Sequence, residues 1–218
     1  MARTAVSAPG LDRDRARALK LVPVSRETAA KLDDFISDLL KWQQRVNLIA
    51  PSTAGQLWTR HVADSLQLLQ LAPGARKWID LGSGGGFPGV VIAAALAERE
   101  GHIDLVESNA KKAAFLRETV RRLALPALVH AARIEDFVSR YADSAEIVTA
   151  RALAPLVELL GYAEPLLKKG AQALFPKGQD VEAELTAASK YWKIGARLAP
   201  SLTDARGRIV VVDTAERR

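Results

Sequence analysis

The chain has 218 residues, 49% of them hydrophobic and 26% charged, with no cysteine and a formal net charge of +6. This length buries a core without covalent staples, and the missing cysteine excludes disulfides, thiolate metal sites and a cysteine nucleophile. The basic excess points to a polyanionic partner, while the apolar runs at 90–97 and 145–160 are too short or too interrupted to span a bilayer. With no apolar leader at the start of the sequence, a cytoplasmic protein is expected.

Residues 1–23 carry Arg3, Arg13, Arg15, Arg17 and Lys20 against Asp12 and Asp14, with Pro9-Gly10 and Pro23 as breakers. They read as a disordered or loosely helical basic arm. Ser25 then starts a helix in which Leu32, Phe35, Ile36, Leu39 and Leu40 recur at the spacing of one buried face. A second helical segment holds Leu57, His61, Asp64, Ser65, Leu66 and Leu68 and ends at Pro73-Gly74. Residues 24–72 are thus expected to form a helical cap on a main domain over 73–218. From there apolar runs suited to buried strands lie at 77–81, 102–107, 127–131, 145–150, 171–176 and 208–213, with helical stretches at 88–99, 109–124, 155–168 and 180–190. Such alternation predicts an α/β domain, a mostly parallel sheet with helices on both faces. The last run is expected to pair antiparallel at or near an edge.

The densest signal is Asp80-Leu81-Gly82-Ser83-Gly84-Gly85-Gly86-Phe87-Pro88-Gly89, between an apolar strand and an apolar helix. Glycines allow a sharp turn and a close ligand approach, and the helix that follows aims free N–H groups at the same place. Two fingerprints overlap here. Gly84-x-Gly86-x-x-Gly89 with Glu107 further on satisfies the dinucleotide pattern and keeps a nicotinamide oxidoreductase open. Asp80-x-Gly82-x-Gly84-x-Gly86 is the loop associated with S-adenosylmethionine enzymes; its acid suits a ligand with a cationic amine and sulfonium and would repel a pyrophosphate. In either case Glu107 is placed to accept hydrogen bonds from a ribose diol. Taken singly, Asp80 reads as a turn cap and Glu107 as a surface acid capping the helix near Asn109; as an ordered set they read as a site.

Several methyl-transfer chemistries leave marks that are absent. Addition to a pyrimidine ring uses a thiolate, and the turn after the fourth strand, Thr149-Ala150-Arg151-Ala152, has no Asn/Asp-Pro-Pro-aromatic motif for an exocyclic amine. An acceptor with a free lone pair, such as guanine N7, needs no general base. Holding donor and acceptor in line can then supply roughly 7–11 kcal/mol of the barrier.

With these residues laid out, the chain resembles the bacterial small-subunit ribosomal RNA guanine-N7 methyltransferases (the RsmG or GidB family). The resemblance rests on Trp42-x-x-x-x-Asn47-Leu48, Arg60-His61-x-x-Asp64-Ser65-Leu66, the glycine loop with its Phe87-Pro88-Gly89, Glu107 with Lys111-Lys112 and Phe115-Leu116, Thr149-Ala150-Arg151-Ala152, and Pro176-Lys177-Gly178. It covers residues 40–213, with Ile49 a departure where the family more often has Thr, and nothing is carried onto the arm. It implies a class I, Rossmann-like methyltransferase fold with a seven-stranded sheet, S-adenosylmethionine as cofactor, and a guanine in the decoding region of 16S rRNA or the small-subunit particle as acceptor. By similarity Gly82, Gly84 and Phe87 line the cofactor, Glu107 holds the ribose, Ile134 and Glu135 flank the adenine, and Arg151 reaches the site as a positioning group toward either the cofactor carboxylate or an RNA phosphate. Asn47, Arg60, His61 and Lys177 are candidates for the RNA side. His61 and Asp64, three apart, read as a structural pair beside the loop. His61, His102 and His130 are too widely spaced to read as a metal site, and a monomer with no membrane contact is expected. A small-molecule methyltransferase is the nearest alternative.

Overall fold

The computed structural model describes residues 8–141 and 145–218. Helix α1 (Ala8–Leu21) comes first, then α2 (Arg26–Trp42), whose Ser25 side chain accepts a hydrogen bond from the Thr28 N–H at 3.0 Å. A 3-10 turn over Pro51–Gln56 widens into a π-helical turn over Trp58–Ala63 and continues as α3 (Asp64–Leu66) and α4 (Leu68–Leu71). Residues 1–7 of the expected arm lie outside the described residues. The rest of it is not disordered: α1 buries Ala18, and Val22 just beyond it, in the main apolar core. Apolar residues three and four apart give α1 a packing face that its charge-rich composition obscures.

Seven strands follow in one sheet: β1 (Lys77–Leu81), β2 (His102–Val106), β3 (Ala127–His130), β4 (Ile147–Thr149), β5 (Gln172–Lys177), β6 (Trp192–Pro200) and β7 (Arg208–Arg217). Their order is β3-β2-β1-β4-β5-β7-β6, parallel through β5, with β7 antiparallel to both of its neighbours. The intervening helices are α5 (Gly89–Leu96), α6 (Ala110–Arg122), α7 (Ile134–Tyr141), α8 (Leu156–Leu167) and α9 (Val181–Ser189). Two of these elements carry no strong sequence signal. Helix α7 is eight residues long and buries only Phe137 and Val138. Edge strand β6 interrupts its apolar residues with Lys193, Gly195 and Arg197, because only one face of an edge strand has to be covered. The last strand is therefore one place in from the edge.

The sheet separates two apolar layers. Trp78, Ile103 and Leu105 pack toward α2, α5 and α6, whereas Ile79, Leu81, Val106 and Val148 pack toward α7 and α8. Alternation along a strand fixes this division. On the first side Phe35 of α2 stands 5.2 Å from Phe87 of the glycine loop and 6.3 Å from Phe115 of α6, fully buried. Phe35 thus joins cap, loop and sheet cover. Replacing it with alanine is expected to cost about 3–5 kcal/mol of stability, read as the shift of the urea unfolding midpoint; a loss under about 1 kcal/mol would show that the cap and sheet do not share one core.

Candidate functional site

The parallel strands end at a cavity of about 1010 Å³ lined by the glycine loop, Glu107, Ile134, Arg151, Leu153 and, from the cap, Leu48, Thr53, Arg60, His61 and Asp64 among others. Ligands of open parallel sheets bind at this carboxyl edge. The loop floor is built by close approach. Gly82, Gly84 and Gly86 have φ of 71°, 55° and 91°, a region that strains any side chain. A Cβ on Gly85 would lie 2.6 Å from the Leu48 carbonyl oxygen, so the cap backbone rests directly on the loop. A Cβ on Gly84 would meet nothing nearer than 3.6 Å, because the space above it is cavity.

Glu107, 8% exposed at the end of β2, holds this loop to its neighbour. Its Oε2 accepts from the Gly84 N–H at 2.9 Å and its Oε1 from the Asn109 N–H at 2.7 Å. Each carboxylate oxygen keeps a second lone pair, so the group remains able to accept from a diol. It is both the cap near Asn109 and a wall of the site.

Arg151, at the end of β4, is the centre of a polar network. Its Nη1 donates to the Arg60 carbonyl at 3.0 Å and to Asp64 Oδ2 at 3.1 Å, and its Nη2 donates to His61 Nδ1. The guanidinium carbon lies 5.6 Å from the centre of the Phe87 ring, and the His61 ring centre 4.8 Å from it. Burial, with Arg151 and Arg60 nearby, pushes His61 down to about 3. A neutral imidazole that accepts at Nδ1 carries its proton on Nε2, which stands 2.9 Å from Thr53 Oγ1; that hydroxyl in turn donates to the Ala50 carbonyl at 2.8 Å. Asp64 Oδ1 accepts from Gln67 and from Thr203, each at 2.8 Å, and so ties the network to the turn between β6 and β7.

Residues 28–206 match the family described as rRNA small subunit methyltransferase G (GidB). The chain belongs to this family. Proteins named ribosomal RNA small subunit methyltransferase G are 60% identical over 205 residues in Bradyrhizobium sp. (strain BTAi1), covering 94% of this chain and 92% of that one. In Nitrobacter winogradskyi the figures are 62% over 206 residues, 94% and 74%. Among solved structures, an O-methyltransferase from Bacillus cereus in complex with SAH aligns with a TM-score of 0.59 at 16% identity, covering 91% of this chain and 96% of that one. A putative O-methyltransferase from Klebsiella pneumoniae aligns at 0.60 and 11%, covering 92% and 96%. These two share the fold.

The structure distributes the residues expected from the GidB resemblance unevenly. Gly82, Gly84, Phe87, Glu107, Ile134, Arg151, Arg60, His61 and Lys177 all line the cavity. Asn47 is exposed beside it, within 3.5 Å of Gln43, while its neighbours Leu48 and Ile49 form the wall. Glu135 is exposed in the first turn of α7 and does not line the cavity, because the helical rotation that turns Ile134 inward turns Glu135 out. Lys177, a candidate for the RNA side, is held by protein acceptors. Its ammonium donates to Glu184 at 2.7 Å and to the Ala154 carbonyl at 2.9 Å, and Glu184 also accepts from the Leu156 N–H that starts α8.

Sequence reasoning about the GidB motifs did not reach Thr53, Gln67, Thr203 and Leu153, whose roles depend on contacts across the fold. A Cβ on Gly82 would meet Leu153 at 2.6 Å, so that glycine answers to a side chain 71 residues away as well as to a ligand. Lys112, part of the Lys111-Lys112 pair that follows Glu107, lines the cavity. His102 and His130, distant in sequence, converge on Asp104 Oδ1 at 3.5 and 2.7 Å across adjacent strands. Among the described residues no three His, Asp or Glu side chains gather as a metal-ligand set.

Asp80 departs from its expected place. Strand alternation turns it to the α5 side with Trp78 rather than up into the cavity. It is fully buried, its Oδ2 accepts from the Gly89 N–H at 3.1 Å, and its Oδ1 has no hydrogen-bond partner. It is a buried cap under the loop rather than an acid facing the ligand. Burial pushes it up to about 7, against the pull of the Gly89 N–H and the Arg151 charge. The unfolded chain titrates it near 3.8, so between about 4 and about 7 the folded protein holds the extra proton. This group therefore makes stability fall as pH rises through that window and level off above it. Asp80→Asn, uncharged throughout, is expected to lose that decline in urea unfolding compared at pH 5 and pH 8; equal pH slopes in the two proteins would contradict it.

Proposed function

We propose that the chain transfers a methyl group from S-adenosylmethionine to N7 of a guanine in the decoding region of small-subunit (16S) rRNA. Membership of the GidB family supports methyl transfer to small-subunit rRNA and displaces the oxidoreductase alternative. The choice of N7 rests on His61. Both of its ring nitrogens are engaged, and a group held down to about 3 is a poor proton acceptor at neutral pH. A site whose histidine is unfit as a base suits an acceptor that has no proton to lose.

The cavity's donor and acceptor set fits the cofactor. Gly84 presents bare backbone under open space and Gly82 lines the cavity beside it, Glu107 offers carboxylate lone pairs for hydroxyls, and Val106 and Ile134 supply apolar wall for a purine. When bound, S-adenosylmethionine supplies an electrophilic methyl group on a sulfonium. The protein's share is orientation and exclusion of water: Phe87, held between Phe35 and His61, makes a rigid apolar side to the cavity. Toward RNA, Arg60 and Lys112 line the cavity with no carboxylate paired to either among the described residues, which leaves both cations available to phosphate. Arg151 and Lys177, by contrast, are already held by protein acceptors. Among the described residues no helix is long and apolar enough to cross a membrane, and we place the activity in the cytoplasm, carried by a monomer in which the helical cap and the sheet act as one unit.

Nucleoside mass spectrometry of small-subunit rRNA from cells with and without the gene tests the reaction. A 7-methylguanosine present in the first and lost in the second is expected; an unchanged nucleoside profile would remove the assignment. Glu107→Ala is expected to raise the dissociation constant for S-adenosylmethionine at least about tenfold, or about 1.4 kcal/mol, in calorimetry on the protein alone.

A further inference from the structure

Asp14 lies on α1, ahead of the stretch matched by the family and inside the segment whose composition reads as an arm. The helical run that carries Arg60 and His61 changes pitch just after Leu57, from 3-10 to π. A junction of this kind leaves backbone donors without a regular helical partner. Asp14 meets two of them. Its Oδ2 accepts from the Trp58 N–H at 2.8 Å and from the Thr59 N–H at 3.2 Å, and its Oδ1 accepts from the Thr59 hydroxyl. A carboxylate also opposes the positive end of the helical dipole there. Beside it, Arg15 pairs with Asp33 of α2 and lies 5.2 Å over the Trp58 ring.

One to five residues beyond Thr59 come all three acceptors of the Arg151 guanidinium: the Arg60 carbonyl, His61 Nδ1 and Asp64 Oδ2. We propose that Asp14 is a positioning residue of the methyl-transfer site, which fixes the start of the π-helical turn and through it the acceptors that orient Arg151 over Phe87. The carboxylate touches neither the cavity nor Arg151. Its action passes through the backbone of Trp58 and Thr59, where a displacement carries His61 and the Arg60 carbonyl with it. A misplacement of about 1 Å, far from the reacting atoms, is enough to cost about a hundredfold in rate.

The inference rests on the functional reading only where activity is measured, so the first test needs no substrate. The His61 ring is titrated by NMR in the wild-type protein and in Asp14→Asn. Loss of a nearby negative charge by itself would lower a histidine pKa, whereas release of Nδ1 from Arg151 raises it. A rise of about one pH unit or more is expected in the variant; an unmoved or lowered value overturns the proposal. The second test measures methyl transfer to small-subunit particles at a temperature where all variants are folded. Asp14→Asn is expected to lose at least about tenfold in kcat/KM, and Arg15→Ala, which loosens α1 without touching the carboxylate, to stay within about twofold. Equal losses in the two would mean that docking of α1 alone is responsible, and would overturn the specific role. The third test is a double-mutant cycle with Arg151→Lys: the two losses are expected not to add, and additive losses overturn action through Arg151. If the wild-type protein methylates no small-subunit rRNA, the functional reading fails, and the His61 titration still decides the role of Asp14.

Discussion

Bare backbone at the carboxyl edge of the sheet is the constraint on which the rest depends. The glycine loop is approached from three sides at distances that leave no room for a Cβ: by the Leu48 carbonyl at Gly85, by the Leu153 side chain at Gly82, and by Phe35 and Val90 at Gly86. The approaching groups come from the cap, the turn after β4 and α5, so the loop is where these elements meet. A side chain at these positions would push one of those elements away, and the cavity would lose a wall.

Around that floor the polar groups are arranged so that few charges are left to the cavity. Arg151 and Lys177 sit at the ends of adjacent parallel strands, and each is matched by a carboxylate and a backbone carbonyl. Glu107 is matched by two backbone N–H groups. Buried charges are tolerable only when partnered in this way. His61 pays for the same order with its basicity. Placed between a guanidinium and a threonine hydroxyl, it serves as a neutral spacer that conveys the orientation of Arg151 to the turn at Ala50. A histidine held in this way suits a reaction in which alignment, rather than proton transfer to it, lowers the barrier.

The cap is part of this machinery rather than a cover for it. Its α2 supplies Phe35 against the loop, its π-helical turn and the start of α3 supply the acceptors of Arg151, and α1 supplies the carboxylate at the head of that turn. Asp64 and Gln67 then reach across to the turn between β6 and β7, so that both ends of the chain close on one network. Lys112 and Arg60, with no carboxylate paired to either among the described residues, line the same cavity, where a polyanion would meet them.

Local pattern by itself determined the strand–helix alternation, the glycine turn, the α2 face through Leu32, Phe35, Ile36 and Leu39, and the order of motifs that marks the family, because each depends on residues near one another in the chain. It also placed Glu107 at the carboxyl end of a parallel strand, whereas Arg151 was placed by the family resemblance. Partnership was decided by tertiary structure alone. Whether Lys177 is free or bound to Glu184, whether Asp80 faces a ligand or lies beneath the loop, and whether residues 8–21 stand apart or pack on Trp58 all turn on groups tens of residues away. A sequence states which charges exist; only folding brings the surfaces together that remove them from water, and with them the choice of which charge remains for a ligand.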